Sequence, residues 1–282
     1  STSLMGATIY VNSSSGDDNS GDGSSGSPYK TFHKGYTEAS SDDIIDLTGT
    51  FTWTDAAESG DAATTGYTIA KNLTIQGQGA GATYIQAASS ENSADRRVFT
   101  ATNTATFDAL TISGITIRYG VSTGGGNTSA GLLMLTTTSH YDIVVNINEC
   151  SFENNNITSF SSDNGFSGGG LSFSGYAYGT LAINKTTFKD NSAYVRARGA
   201  GALYINQDVN ATLTSCTFEG NTGSSDYAGI YYGTSGALFA YRNSNVKITN
   251  CTFSNNSSDG NGGAITLEDN TAYLTNNTIA GN

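Results

Sequence analysis

The sequence predicts an all-β fold, a right-handed parallel β-helix (solenoid) of about seven coils with a short N-terminal capping helix. Three observations carry this expectation. A motif built on Phe and Asn recurs at coil-like intervals, period-two alternation fills the stretches between copies, and no helix-period segment of useful length interrupts them. Without helices, parallel strands cannot be joined by βαβ crossovers, so the economical arrangement is a stack of coils roughly 4.8 Å apart.

The elements follow in chain order. Residues 1–41 read as an N-terminal strand, a Gly/Ser/Asp loop and the capping helix, and residues 42–282 as the β-helix, open at its C-terminal end. Ser27-Pro28 marks a helix start with Pro at the first helical position, and Tyr29, Phe32, Tyr36 and Ala39 then fall on one face. Such a helix would cover the apolar interior of the first coil.

The repeat proper is "CSFENN" (150–155), "TTFKDN" (186–191), "CTFEGN" (216–221), "CTFSNN" (251–256) and "NTIAGN" (277–282), with a degenerate "ITIRYG" at 115–120. Their Phe or Ile positions, 117, 152, 188, 218, 253 and 279, are separated by 35, 36, 30, 35 and 26 residues. A small-residue run precedes each full copy: "AGLL", "GGGL", "AGAL", "SGAL" and "GGAI". Phe152, Phe188, Phe218 and Phe253 are expected to stack in a narrow core. Asn155, Asn191, Asn221, Asn256 and Asn282 are expected at the corner, in left-handed backbone, with their amides bonded from coil to coil. The small runs leave room for re-entry into a tight coil. Glu149 with Lys185, and Glu153 with Lys189 and Glu219, then fall in adjacent coils as cross-coil charge neighbours. Cys216 and Cys251 fall at neighbouring-strand distance, as a disulfide or as stacked buried thiols.

Composition narrows the function classes. The formal net charge is −12 with a pI near 4.3, which repels polyanions and argues against nucleic acid as a partner. No run of eighteen apolar residues occurs, so the chain is not expected to span a membrane. Ser1 carries no initiator Met before it and ten N-x-S/T sequons occur, which suits a mature, exported, extracellular or cell-surface protein. Three cysteines without a CxxC pair argue against a disulfide framework or a structural zinc.

The paired motifs resemble the FxxN and GGA(I/L/V) repeats of chlamydia-type polymorphic membrane proteins and related bacterial β-helix surface proteins, over roughly residues 130–282. That resemblance implies a cell-surface passenger, often an adhesin. The opening "YVNSSSGDDNSGDGSSGSPYKTFHKGYTEA" (10–39), followed by "NLTIQGQGAGATYI" (72–85), is similar to the start of many pectate-lyase-like β-helix proteins, some of which are polysaccharide lyases.

Candidate sites are few. Asp18, Ser20 and Asp22 keep calcium-loop spacing, but Tyr29 stands where that loop needs Glu; calcium is weighed against a solvated polar loop. Length variation concentrates after the corner Asn, so the loops line up on one side. They carry Arg118 and Tyr119, Phe160 and Phe166, Tyr194 with Arg196 and Arg198, and Tyr227, Tyr231 and Tyr232. Tyr and Arg anchor interfaces and stack on sugars, while the competing reading is that the aromatics pack their own loops. His33 and His140 are isolated and read as surface or capping residues. The expected partner is a host or neighbouring-cell protein or glycan; at Asn282, on a coil corner, either more coils follow or another subunit stacks head-to-tail. The alternative is a polysaccharide lyase or glycoside hydrolase with Arg196 and Arg198 at its site.

Overall fold

The computed structural model describes residues 6–58, 66–93, 96–123, 128–136, 142–158, 166–175, 179–196, 198–225, 233–242 and 244–282. Among these, three long parallel sheets of nine, eight and seven strands run the length of a solenoid. Each complete coil contributes one strand to each. The coil that begins at Gly179–Asn184 continues through Thr187–Lys189 and returns through Leu203–Ile205.

Strict register turns the repeat into columns. Inward-facing Ile45, Ile75, Ile112, Ile147, Ile183, Leu213 and Ile248 are successive partners across the nine-stranded sheet. All are fully buried. On the eight-stranded sheet Phe152, Phe188, Phe218 and Phe253 stack with ring centroids 4.9, 4.8 and 4.6 Å apart and planes within 8° of parallel. That spacing is the inter-strand distance, so the backbone ladder and the ring stack reinforce one register.

The corner Asn residues form the expected ladder. Asn191 Nδ2 donates to Phe152 O at 2.8 Å and to Asn221 Oδ1 at 3.0 Å. Its own Oδ1 accepts from the backbone and side-chain nitrogens of Asn155. Asn221 and Asn256 repeat the pattern, and Asn282 accepts from Asn256. The left-handed residue, however, is the one before each ladder Asn: Asn154, Asp190, Gly220, Asn255 and Gly281. The ladder amide must point inward, so the preceding residue takes the turn. A second set of left-handed corners precedes the cysteine position, at Glu149, Lys185, Ser215, Asn250 and Asn276.

The small-residue runs meet a steric limit. A Cβ on Gly201 would lie 2.3 Å from Gly236 O, and one on Gly236 would lie 1.9 Å from Gly263 O. Neither has positive φ, so glycine is required there for close approach between coils.

Glu149 and Lys185 form the cross-coil ion pair, Nζ to Oε1 3.1 Å, while Glu153, Lys189 and Glu219 stand in register without a measured ion pair among the described residues. The three cysteines are buried free thiols. Cys251 Sγ accepts the backbone N–H of Cys216, as Thr186 Oγ1 does for Cys150, so this column too is a side-chain-to-backbone ladder. Burial pushes the Cys150 thiol up to about 11.

At the N-terminus the strand Thr8–Asn12 pairs in parallel with Asp43–Thr48 and so joins the nine-stranded sheet. The helix spans Phe32–Glu38 with Thr31 as N-cap, four residues beyond the Ser27-Pro28 start expected from sequence. Ser27 instead closes a tight turn onto Ser24, and Tyr29 pairs with the first strand. Phe32 packs among Trp53, Tyr67 and Phe99, its centroid 4.9 Å from that of Tyr67. At the other end Leu267, Leu274 and Ile279, which continue inward columns, are 37%, 45% and 51% exposed.

Candidate functional site

Between the corner Asn and the small-residue run, four coils fold a side wing. One row of short strands comprises Asn156–Ile157, Ser192–Tyr194 and Thr222–Ser224 with neighbours on either side. The return row comprises Thr128–Ser129, Phe166–Gly168, Arg198–Ala200 and Thr234–Ser235. Ala130, Ile157, Ala193 and Val195 form the wing's own small core. The described ends of the stretches that vary in length, Thr158 with Phe166, Arg196 with Arg198 and Ser225 with Gly233, lie between these two rows.

The return row lies along the outer face of the seven-stranded sheet, and the seam between them is the chemically distinctive part of the molecule. Outward positions of that sheet run Thr100, Leu133, Ser172, Tyr204, Phe239 and Thr266 in register. Outward aromatics do nothing for the core inside the coil. Here Phe166 stacks on Tyr204 at 5.7 Å and on Tyr241 at 5.6 Å, with Phe239 beside Tyr204 at 5.7 Å. Arg198 lies 4.2 Å above the Tyr241 ring and forks onto Glu268, Nε to Oε2 2.8 Å and Nη2 to Oε1 2.7 Å. Burial holds the Tyr204 hydroxyl neutral well above the usual tyrosine range. Phe166 and Glu268 are partly exposed at the rim, whereas Tyr204 and Phe239 are sealed. Two polar atoms on the same face, Ser172 Oγ and Thr266 Oγ1, are buried with no hydrogen-bond partner among the described residues.

The predicted strip residues separate. Arg198 belongs to the seam, where its bidentate ion pair fixes the guanidinium in its charged form and takes it out of use as a proton acceptor. Arg196 is half-buried two residues earlier, and Tyr194 lies on the wing's first row. Tyr119 lies elsewhere, on the corner beyond the eight-stranded sheet, where Arg118 is held between the Tyr84 and Tyr119 rings at 4.1 and 4.7 Å and donates to Gln86. Phe160, His140, Tyr227, Tyr231 and Tyr232 lie outside the described residues. Tyr204, Phe239, Tyr241 and Glu268 escape the sequence reading. Their signal is an aromatic or acid at an outward position just after a small-residue run, in "SGALFAY" and "GGAITLE".

The acidic N-terminal loop is occupied by its own backbone. Asp18 Oδ1 accepts from the amides of Lys30 and Thr31, and its Oδ2 from the Thr31 hydroxyl. Asp22 caps Ser24, and Asp17 caps Asn19 and Ser20. These contacts tie the loop to the start of the helix, and the described residues contain no cluster of three or more His, Cys, Asp or Glu placed to hold a metal. Nearby, His33 Nδ1 is 2.9 Å from the Tyr67 hydroxyl, and Glu58, only 4% exposed, accepts the amides of Phe32 and His33 at 2.8 and 3.1 Å. Burial pushes Glu58 up to about 7, against those two hydrogen bonds.

Stacked coils, an Asn ladder and a side wing define the class of parallel β-helix repeat proteins. Residues 60–282 match the family described as right handed beta helix region, and the chain belongs to that family. The narrower likeness to chlamydia-type surface proteins rests on the FxxN and GGA motifs alone. A search of curated proteins finds no match. Among solved structures, a rhamnogalacturonan lyase is 14% identical, with 95% of this chain and 74% of that chain covered and a TM-score of 0.43. A lacto-N-biosidase from Eubacterium ramulus is 11% identical, with 95% and 55% covered and a TM-score of 0.44. A pectin methylesterase from Aspergillus niger is 15% identical, with 100% and 87% covered and a TM-score of 0.36. No described helix is long and apolar enough to cross a membrane.

Proposed function

We propose that this chain is an extracellular, adhesin-like β-helix module that binds a glycan along the seam between its wing and the seven-stranded sheet. One observation carries the reading: the Phe166–Tyr204–Tyr241 stack closed by the Arg198–Glu268 fork, on a face that the coil interior does not need. Sugar rings are taken up by a flat apolar face flanked by a few fixed polar groups, which is what the rim of this seam offers. The rigid solenoid then serves to hold that rim away from whatever carries it.

The test is binding to a glycan panel, with Phe166→Ala and Glu268→Gln compared to the parent chain. Each variant should weaken the best ligand at least tenfold, while Lys189→Ala, on an exposed outward column elsewhere, should leave binding unchanged. Equal binding by all four proteins would remove the seam from consideration. Unsaturated product or new reducing ends would replace the binding reading with a polysaccharide lyase or glycoside hydrolase.

A further inference from the structure

We propose that Arg97, at the N-terminal end of the same seam, holds a small oxyanion, either a free inorganic anion or an acid group carried by the bound ligand. Arg97 and Arg198, both on this seam, are in opposite states. Arg198 is matched by the carboxylate of Glu268. Arg97 takes part in no ion pair among the described residues, where the pairs are Lys34–Glu38, Lys185–Glu149 and Arg198–Glu268. Its Nη2 donates to Thr128 Oγ1 at 3.0 Å and its Nη1 to Thr100 Oγ1 at 3.4 Å, both neutral hydroxyls. Its Nε is sealed from water and has no partner among the described residues. Thr100 stands on the outward column of the seven-stranded sheet and Thr128 on the wing's return row, so the guanidinium bridges the two walls.

The position is built for this side chain. Gly66 sits at φ +80°, where a Cβ would lie 2.5 Å from Arg97 Cγ, so glycine leaves the space through which the stem passes. A half-buried guanidinium that faces only neutral hydroxyls gains from an oxyanion set against its planar fork, through paired charge-assisted hydrogen bonds. Burial lowers the affinity of Arg97 for its proton. In a chain of net charge −12 an uncompensated arginine is a local exception that selects small anions over extended polyanions.

The free-anion form of this proposal is independent of the glycan reading, and the ligand-borne form rests on it. The experiment is calorimetric titration of the whole chain with sulfate at constant ionic strength maintained with chloride, and separately with a sulfated oligosaccharide and its desulfated counterpart. A free anion site gives sulfate binding that Arg97→Gln weakens at least tenfold. A ligand-borne acid gives no inorganic sulfate binding but a sulfated-over-desulfated preference that Arg97→Gln abolishes. Should the glutamine variant fail to fold, Arg97→Lys keeps the charge, loses the fork, and should weaken the same interaction several-fold. The proposal is overturned if neither sulfate nor the sulfated sugar binds better than its control, or if binding is unchanged in the arginine variant. Loss of oligosaccharide binding in Phe166→Ala with sulfate binding retained keeps the anion site and places the sugar contact separately on the aromatic stack.

Discussion

The ladder asparagines show how much one buried residue can hold. Asn191 is fully buried and makes four hydrogen bonds, two donated by its Nδ2 and two accepted by its Oδ1. Asn191→Ala removes all four, strips the Asn155 backbone N–H of its acceptor and the Phe152 carbonyl of its side-chain donor, and should cost roughly 3 kcal/mol in urea unfolding. Glu58 gives a pH test. Its folded pKa is raised from 4.5 to about 7, so its contribution to stability is fully present below about 4.5 and is lost as pH rises through about 7. The parent chain should therefore lose up to about 3 kcal/mol across that window relative to Glu58→Gln, whose stability should be flatter with pH. A parallel dependence in both proteins would place the titration elsewhere. At this scale the sequence was legible where a residue type is dictated by packing, as in the Phe column. It misplaced the left-handed corner by one residue, because the invariant Asn draws the eye while the turn falls on the variable Asn, Asp or Gly before it.

Elements were legible wherever they repeat. The strands of the solenoid follow from period-two alternation, which one register then multiplies through every coil. The helix does not repeat, and its start is set by distant groups: Thr31 caps it, Asp18 fixes Thr31, and Glu58 accepts its first amides. Pro28 was a local signal overruled by those tertiary contacts. Gly35 lets this helix approach the first strand, since a Cβ there would lie 2.4 Å from Val11 Cγ2. Gly35→Val should push the helix outward, lower stability by about 1–3 kcal/mol, and speed amide exchange in Phe32–Glu38 and Thr8–Asn12 before other strands. The seam was half legible: Arg198 and Phe166 stood out as loop residues, but Tyr204, Tyr241 and Glu268 lie in strands that read as core, and only the register shows that they face outward.

For the whole molecule, nearest-neighbour contacts dominate, as in other solenoids. In the 282-residue chain Leu274 and Ile279 continue two inward columns and are exposed, beside strands paired on one side only among the described residues. Open strand edges are surfaces onto which a further strand can add. The 282-residue chain is expected to self-associate with rising concentration in sedimentation velocity runs, and Leu274→Lys with Ile279→Lys to remain monomeric. Identical sedimentation of both would show that this end is not the contact.

The wing has a further consequence for how such a chain can change over generations. In the last four copies, glycine run, Phe stack and Asn ladder fix the coil within 21 to 24 residues, whereas the stretch between Asn and glycine varies in length. Duplicating a whole repeat lengthens the rod by one step, while an insertion in the wing widens it without disturbing any column. Rod length and wing size are thereby inherited as separate traits, and either can drift without the other.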